Sequence, residues 1–276
     1  MWVLAAGLSG GTLSFAGGSD APGVSPTASS QNPASRPVIA NKSSVPIYNA
    51  PVPVYKPPML AYQPPLRGAP FIRVDGGSRA EKGEIPTLCV LAPDHVGLTT
   101  QEQPSLFWFL SKPVKTQFEL TIVEHKKASP VLVVKLPEST QPGIQRLRLS
   151  DHQIKLAVGV EYRCTVALVL DEKSRSRDIV TTGVIRRIEP TAALKTRLAG
   201  AHDAQLAFIY AEEGIWYDAL ESLANLIEAQ PDNPSFYHQR AALLSQVGLK
   251  DAATYEDKLV ASREKPEQAQ AKTTQD

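Results

Sequence analysis

Two parts of the C-terminal sequence carry the same residues at an offset of 34 positions. Gly214 and Ala219 recur as Gly248 and Ala253. A glycine at a tight turn, followed by a small residue where two helices cross, is typical of a stacked helix pair. The repeat therefore predicts two such pairs, at 200–213 with 216–230 and at 234–247 with 250–263.

An offset of 34 residues is also the period of the tetratricopeptide repeat. Asn233-Pro234 supplies an N-cap and a first-turn proline between the two units. Trp216 opens the second helix, where the repeat pattern favours a core role over a ligand platform. We expect a short tetratricopeptide-like helical domain over 190–263, capped by a helix at 191–199. The polar tail at 264–276 is expected to be disordered.

Between residues 71 and 189 the apolar residues follow a period of two, in short runs bounded by turn residues, which is typical of an all-β sandwich. Trp108 lies within one run, and Tyr162 precedes Cys164 by two positions. Both features resemble core positions of immunoglobulin-like and fibronectin type III-like domains. The fold predicted for the whole chain is α+β and multidomain. Seven strands are predicted: Thr87–Ala92, Ser105–Leu110, Thr116–His125, Val131–Leu136, Ile144–Leu149, Glu161–Leu170 and Ile179–Ile188.

The N-terminal quarter of the chain shows no hydrophobic periodicity that would predict a core of its own. Residues 1–19 resemble the apolar region of a secretory signal, which predicts export to the periplasm or cell surface. The first basic residue is Arg36, so a Gly/Ser-rich terminus stays open as the alternative. Residues 20–70 form a proline-rich segment, with twelve of the 23 prolines of the chain, and are predicted to be a disordered linker.

Three tyrosines within this linker are spaced by seven residues: Tyr48, Tyr55 and Tyr62. Their proline-rich surroundings fit a docking ligand for an aromatic-lined groove. A plain envelope spacer is the alternative interpretation.

Charge and motif content exclude several classes of function. The net charge of +1 gives no electrostatic footprint for nucleic acid. The longest uncharged stretch, at 1–19, is interrupted by glycines and predicts no transmembrane span. The common nucleophile, nucleotide and metal motifs are absent, so we predict no catalytic residues, cofactor or metal.

Cys89 and Cys164 are the two cysteines of the chain. In an oxidising compartment a disulfide between them could persist. Cysteine is also among the most buried residue types, so two buried free thiols are the alternative.

The first helix of each predicted pair presents a mixed polar and apolar face. In a helical-repeat array this face lines a groove that suits a short extended peptide or a helix. Packing of the same face on the sandwich is the alternative. The candidate partner-binding residues are Gln205, Phe208, Glu212, His238, Ala242 and Gln246.

Six short segments of the chain form a recognisable set: Pro64–Pro70, Gly76–Arg79, Leu91–Pro93, Gly97–Thr99, Pro104–Phe109 and Glu212–Leu220. Together they resemble one bacterial family, that of domain of unknown function 928, known mainly from cyanobacteria and some proteobacteria. The resemblance covers residues 62–249 and implies an exported N-terminus. It implies no reaction, so no catalytic residues are carried over.

The predicted function is that of a non-enzymatic protein-interaction unit, an adaptor or scaffold, with an unknown envelope protein or peptide as its partner and an association with the cell surface. A binding module for cell-wall or surface glycan and an enzyme with an unrecognised site are the two alternatives.

Overall fold

The computed structural model describes residues 60–65, 73, 86–136 and 139–273. These residues belong to one compact unit that begins at Tyr55. The predicted targeting segment at 1–19 and most of the predicted linker at 20–70 lie outside the described residues.

The described residues form ten strands, and each of the seven predicted strands overlaps one of them. In chain order they are β1 (Leu88–Val90), β2 (Gly97–Thr99), β3 (Ser105–Leu110), β4 (Val114–Lys115), β5 (Phe118–Glu124), β6 (Pro130–Leu136), β7 (Ser139–Thr140), β8 (Gly143–Arg148), β9 (Glu161–Leu168) and β10 (Ile179–Arg187).

These strands form two larger sheets and a short two-stranded ribbon. The three-stranded sheet is antiparallel with the order β1-β3-β8. The five-stranded sheet has the order β2-β10-β9-β5-β6, in which β2 runs parallel to β10 and the other neighbours are antiparallel. Strands β4 and β7 pair with each other.

Strand β3 is covered on both faces, which explains why all six of its residues are buried. Side chains alternate along a strand, and Val90 lies beside Trp108 in the register of β1 and β3. A Cβ atom placed on Gly183 of β10 would lie 3.2 Å from Val90 Cγ1, so this face meets the five-stranded sheet. The opposite face carries Phe107 and contacts the helices, because Ser105 on that face donates to Glu221 at 2.7 Å.

Five helices follow the strands: α1 (Ala192–Ala199), α2 (Asp203–Glu212), α3 (Trp216–Ala229), α4 (Pro234–Gln246) and α5 (Lys250–Thr273). They pack in chain order from α1 to α5. The predicted capping helix corresponds to α1, and the two predicted helix pairs correspond to α2 with α3 and α4 with α5. The Asn233 side chain caps α4 by accepting from Ser235 N–H at 3.1 Å.

Helix α5 continues to Thr273, through residues for which the sequence predicts a disordered tail. Most of the added residues are Glu, Gln, Ala and Lys, which have high helix propensity. Local propensity therefore favours continuation of the helix through this stretch.

The strands and helices share one hydrophobic cluster of buried residues. The regions predicted as a sandwich at 71–189 and a helical domain at 190–263 therefore pack on each other through a common core. The chain is an α+β protein, in which mixed sheets precede five described helices.

Candidate functional site

A short stretch of the predicted linker is docked on the helices. In residues 60–65, Leu60 and Tyr62 are 1% and 9% exposed, whereas Ala61 and Gln63 between and after them are exposed. This alternation is that of an extended chain with one face buried. The linker prediction at 20–70 is therefore corrected for these residues, because Leu60 and Tyr62 bury enough apolar surface to hold the segment in place.

The side chain of Gln246, at the end of α4, binds the backbone of this segment at two points. Its Oε1 accepts from Tyr62 N–H at 2.8 Å, and its Nε2 donates to the Leu60 carbonyl oxygen at 2.8 Å. A further backbone hydrogen bond runs from Gln63 N–H to the Ala211 carbonyl at 3.0 Å. Ala211 lies in the last turn of α2, where carbonyl groups lack helical partners, so the segment supplies a hydrogen-bond donor to a carbonyl group at the end of this helix.

Tyr62 occupies an aromatic pocket. Its ring meets Trp216 edge-on, with centroids 5.1 Å apart, and stacks on His95 at 5.9 Å. Its hydroxyl lies 2.9 Å from His95 Nε2 and 3.5 Å from the Gly214 carbonyl oxygen. Burial, together with the charge of Asp94, raises the pKa of Tyr62 well above its usual value, so the phenol is a neutral hydrogen-bonding group at neutral pH.

Gly214 lies directly beneath the docked segment, where the two stretches of chain come close together. Its φ is +71°, a conformation that favours glycine. A Cβ atom at this position would lie 2.5 Å from the Gln63 carbonyl oxygen and 3.2 Å from Pro65 Cδ. The glycine therefore serves both the turn between α2 and α3 and the docking of the segment.

The first three residues of α3 fix the helices to the sheets. Trp216 Nε1 donates to the Leu91 carbonyl at 2.8 Å, and the Tyr217 hydroxyl donates to the Val184 carbonyl at 3.2 Å. Both side chains are fully buried, and Trp216 has the core role that the sequence predicts. Trp216 also forms one wall of the Tyr62 pocket, so the same residue joins the helices to the sheets and contacts the docked segment.

The third of these residues, Asp218, is a buried carboxylate. It accepts hydrogen bonds from the Thr99 hydroxyl, the Thr100 hydroxyl and the Thr100 backbone N–H, the last at 2.9 Å. Burial raises the pKa of Asp218 to about 6, and the hydrogen bonds from Thr99 and Thr100 oppose that increase. Asp218 thus ties α3 to β2 and to the residue that follows it.

The six predicted partner-binding residues do not all meet at the segment. Gln246 binds the segment directly, and its Nε2 also donates to the Ala242 carbonyl at 3.0 Å. Phe208 is half-buried against the core.

The other three predicted residues make contacts within the helical region. Gln205 accepts from His202 N–H at the start of α2, at 3.0 Å. Glu212 pairs with Arg197 at 2.6 Å, and His238 Nδ1 lies 3.3 Å from Asp257 Oδ1. These side chains are exposed and face local partners rather than the docked segment.

Sequence reasoning missed a second feature, a cleft of about 280 Å³ between β3, β8 and helices α3 to α5. Arg146 lies 2.6 Å from Glu221 and 3.1 Å from Glu228. Arg240 donates to Glu256 at 2.8 and 2.6 Å. Burial raises the pKa of Glu256, and Arg240 opposes that increase. The arginines of the cleft are thus paired with carboxylates, Arg146 between β8 and α3 and Arg240 between α4 and α5, which is a structural arrangement.

Cys89 and Cys164 are two buried thiols, which is the second of the two alternatives, and they are not joined in a disulfide. Val90 contacts the five-stranded sheet, with its Cγ1 3.2 Å from a Cβ placed on Gly183, so the preceding Cys89 points to the opposite face of its sheet. Cys164 lies in β9 of the five-stranded sheet. Burial raises the pKa of Cys164 to about 12, so its thiol is protonated and unreactive.

The part of the chain that the structure describes holds no group of three or more His, Cys, Asp or Glu side chains that could bind a metal ion. None of the helices in that part is both long and apolar enough to cross a membrane.

The arrangement of strands and helices, together with the helix surface that contacts residues 60–65, defines an α+β protein whose helices hold an extended segment of the same chain. A family model described as Domain of Unknown Function (DUF928) matches residues 74–256. The chain therefore belongs to the DUF928 family. The match begins after the docked segment, includes β1 and all the elements that follow it as far as α4, and ends within α5. No curated protein matches the chain significantly.

Proposed function

We propose that this protein is a non-enzymatic interaction module, an adaptor or scaffold, whose helical face binds an extended, proline-containing segment of a partner protein. One observation supports this proposal, namely that the face already holds residues 60–65 of its own chain. We name this face the docking site and define it by Gln246, Ala211, Gly214, Trp216 and His95.

The contacts of the docking site suit an extended peptide. The Gln246 amide pairs with a carbonyl and an N–H group two residues apart, which requires an extended backbone but no particular side chain. Pro64 and Pro65 follow the paired residues, and proline favours extended polyproline geometry with a low entropic cost of binding. An aromatic pocket and backbone hydrogen bonds together are a recurrent basis of peptide recognition.

The same proposal includes the finer architecture predicted from the sequence. Helices α2 with α3 and α4 with α5 are proposed to be two tetratricopeptide-like repeats, and the two larger sheets an immunoglobulin-like or fibronectin-like sandwich. The repeat assignment is supported by Gly214 and Gly248, which have φ values of +71° and +77° and lie 34 residues apart. The sandwich assignment is supported by Val90 and Thr181, which connect the two sheets.

We also propose that the protein is exported and acts in the periplasm or at the cell surface. The apolar pattern of residues 1–19 supports export. Fractionation of cells that express the tagged chain, with N-terminal sequencing of the product, tests this part. Recovery only with the cytoplasmic fraction would contradict it.

The structure adds no support to the two alternative functions. A row of exposed aromatic rings would favour glycan binding. The exposed large apolar side chains among the described residues are instead Val131, Val133, Val158, Leu170 and Val180. An enzyme would be favoured by unpaired acids and bases converging in a cleft, whereas Arg240 and Glu256 in the cleft pair with each other.

The test uses the full chain carrying both Tyr62→Ala and Tyr55→Ala, which removes the tyrosine that fills the docking site and the tyrosine of the similar sequence seven residues before it. Binding of fluorescent ten-residue peptides that contain two adjacent prolines is measured by anisotropy, against proline-free peptides of equal length and charge. We expect proline-containing peptides to bind, and Gln246→Ala to weaken binding at least tenfold. Gln230→Ala, which changes an exposed glutamine at the end of α3, is the matched control and should leave binding unchanged. Equal binding of both peptide classes, or no binding at all, would refute the proposal.

A further inference from the structure

The docked segment belongs to a sequence that the chain carries twice. Tyr62-Gln63-Pro64-Pro65 follows Tyr55-Lys56-Pro57-Pro58 at an interval of seven residues. We propose that the docking site recognises the sequence Tyr-x-Pro-Pro and that residues 55–58 are a second, interchangeable ligand for it. This inference rests on the proposed function and names the peptide class that the site selects.

Of the three residues shared by the two copies, the docking site contacts the tyrosine and the second proline. Tyr62 fills the pocket between Trp216 and His95. Pro65 lies against Gly214, where a Cβ would approach its Cδ to 3.2 Å. Tyrosine and the second proline are therefore positions at which the site can discriminate.

Within the four-residue sequence the two copies differ at one position, whose side chain is exposed in the docked copy. Gln63 is exposed, and Lys56 replaces it in the second copy. The contact made at this position is the backbone bond from Gln63 N–H to the Ala211 carbonyl, which lysine can make equally well. A lysine side chain at an exposed position keeps its charge in water, so the substitution carries no burial cost.

The amide clamp also fits both copies. Gln246 requires the backbone N–H of the tyrosine and the carbonyl of the residue two positions earlier. Those two positions are Tyr62 and Leu60 in the docked copy, and Tyr55 and Pro53 in the other. Proline lacks an N–H group but retains its carbonyl group, so Pro53 can supply the required acceptor.

Tethering gives the second copy a large advantage over a free peptide. A ligand joined to its site by a short linker has an effective concentration in the millimolar range. Loss of the Tyr62 side chain should therefore bring Tyr55 into the pocket in its place. The two tyrosines are expected to act as alternatives and not as independent contributors.

A double-mutant cycle in the full chain tests this prediction. The variants are Tyr55→Ala, Tyr62→Ala and the double variant, compared by the urea midpoint of unfolding. Tyr55→Ala should leave the midpoint unchanged, Tyr62→Ala should lower it, and the double variant should lower it by more than the sum of the two. Additive effects would overturn the inference, because they would mean that Tyr55 does not substitute for Tyr62.

Peptides provide a second and independent readout. Labelled peptides spanning residues 60–67 and 53–60 are added to the full-length double variant, and Kd is measured by anisotropy. Both should bind, and the 53–60 peptide should be the weaker of the two by up to about tenfold, because Pro53 replaces the buried Leu60. Replacing tyrosine by alanine in either peptide should weaken binding at least tenfold. A peptide spanning residues 46–53 keeps the tyrosine and the second proline but has Ala50 in place of the first proline. It should bind more weakly than both, because alanine lacks the preference for extended geometry that proline gives to that position.

The outcomes separate this inference from the proposed function. If peptides with paired prolines bind with or without tyrosine, the Tyr-x-Pro-Pro specificity is wrong and the interaction module stands. If only the peptide spanning residues 60–67 binds, the second ligand is wrong. If no peptide binds, the proposed function itself fails, and this inference fails with it.

Discussion

Replacing Gly214 with alanine should destabilise the protein more than the same change at Gly248. The two glycines occupy equivalent turns, with φ values of +71° and +77°. Each turn donates the glycine N–H to a carbonyl three residues earlier at 3.1 Å. A Cβ at Gly248 meets no atom within 4 Å, whereas a Cβ at Gly214 would lie 2.5 Å from the Gln63 carbonyl oxygen.

The backbone strain of alanine at positive φ, about 1–2 kcal/mol, is common to both variants and cancels in their comparison. The difference between them is the free energy with which residues 60–65 dock. Burial of Leu60 and Tyr62 contributes about 4 kcal/mol in total, and the three hydrogen bonds to Gln246 and Ala211 contribute about 1 kcal/mol each. Ordering the segment costs about 1 kcal/mol per residue. Gly214→Ala should therefore cost about 1–2 kcal/mol more than Gly248→Ala.

Urea unfolding of both full-length variants measures this difference, and hydrogen exchange locates it. In Gly214→Ala the amide hydrogens of Tyr62 and Gln63 should exchange faster than in the unmodified chain, while in Gly248→Ala they should keep their protection. Equal losses of stability, together with unchanged protection at Tyr62 and Gln63 in Gly214→Ala, would refute the claim that Gly214 supports the docked segment.

Three further predictions concern the anchors between the layers. Because burial raises the folded-state pKa of Asp218 to about 6, the native state holds this proton more tightly than the unfolded state. The Asp218 contribution to stability should then fall by about 2–3 kcal/mol as pH rises from 4 to 7. Urea unfolding at both pH values should show this decline in the parent chain relative to Asp218→Asn, and parallel pH profiles would contradict it. Trp216→Phe removes the donor to the Leu91 carbonyl and some packing. It should lower the free energy of unfolding by about 2 kcal/mol, measured by thermal or urea unfolding. An unchanged midpoint would show that this bond contributes nothing. Arg240→Met leaves the buried Glu256 carboxylate without the cation it pairs with and should lower the free energy of unfolding by about 3–5 kcal/mol. Adding Glu256→Gln should recover part of that loss. Additive losses of stability would argue against a coupled pair.

The sequence predicted the helices well because their signals are local. The glycine turns and the cap at Asn233 mark helix ends directly, and the observed bounds of α2, α3 and α4 lie within three residues of the predicted ones. Strands β2, β4 and β7 contain two or three residues each, too few to show a period of two. Their existence depends on pairing with distant strands, which a single sequence does not reveal.

The docking site was only partly predictable, for the same reason. The exposed face of α4 identified Gln246, and the spacing of the tyrosines singled out Tyr62 as a ligand in one of two interpretations. The contact between them joins residues 184 positions apart. Nothing in the local pattern of either segment specifies that pairing, so the sequence contained both halves of the site without showing that they meet.

The turn at residues 214–218 links the docking site to the stability of the fold. Gly214 contacts the docked segment, Trp216 joins Tyr62 to the Leu91 carbonyl, and Asp218 ties α3 to β2. A segment that binds this turn in the native state only must stabilise the whole core by linkage. The segment is also tethered, so a partner peptide has to displace a ligand that is present at high effective concentration. The apparent affinity of the partner peptide is its intrinsic affinity multiplied by the fraction of molecules whose docking site is open. A partner that succeeds must therefore bind more tightly than a single Tyr-x-Pro-Pro segment, through additional contacts or through several copies of the sequence.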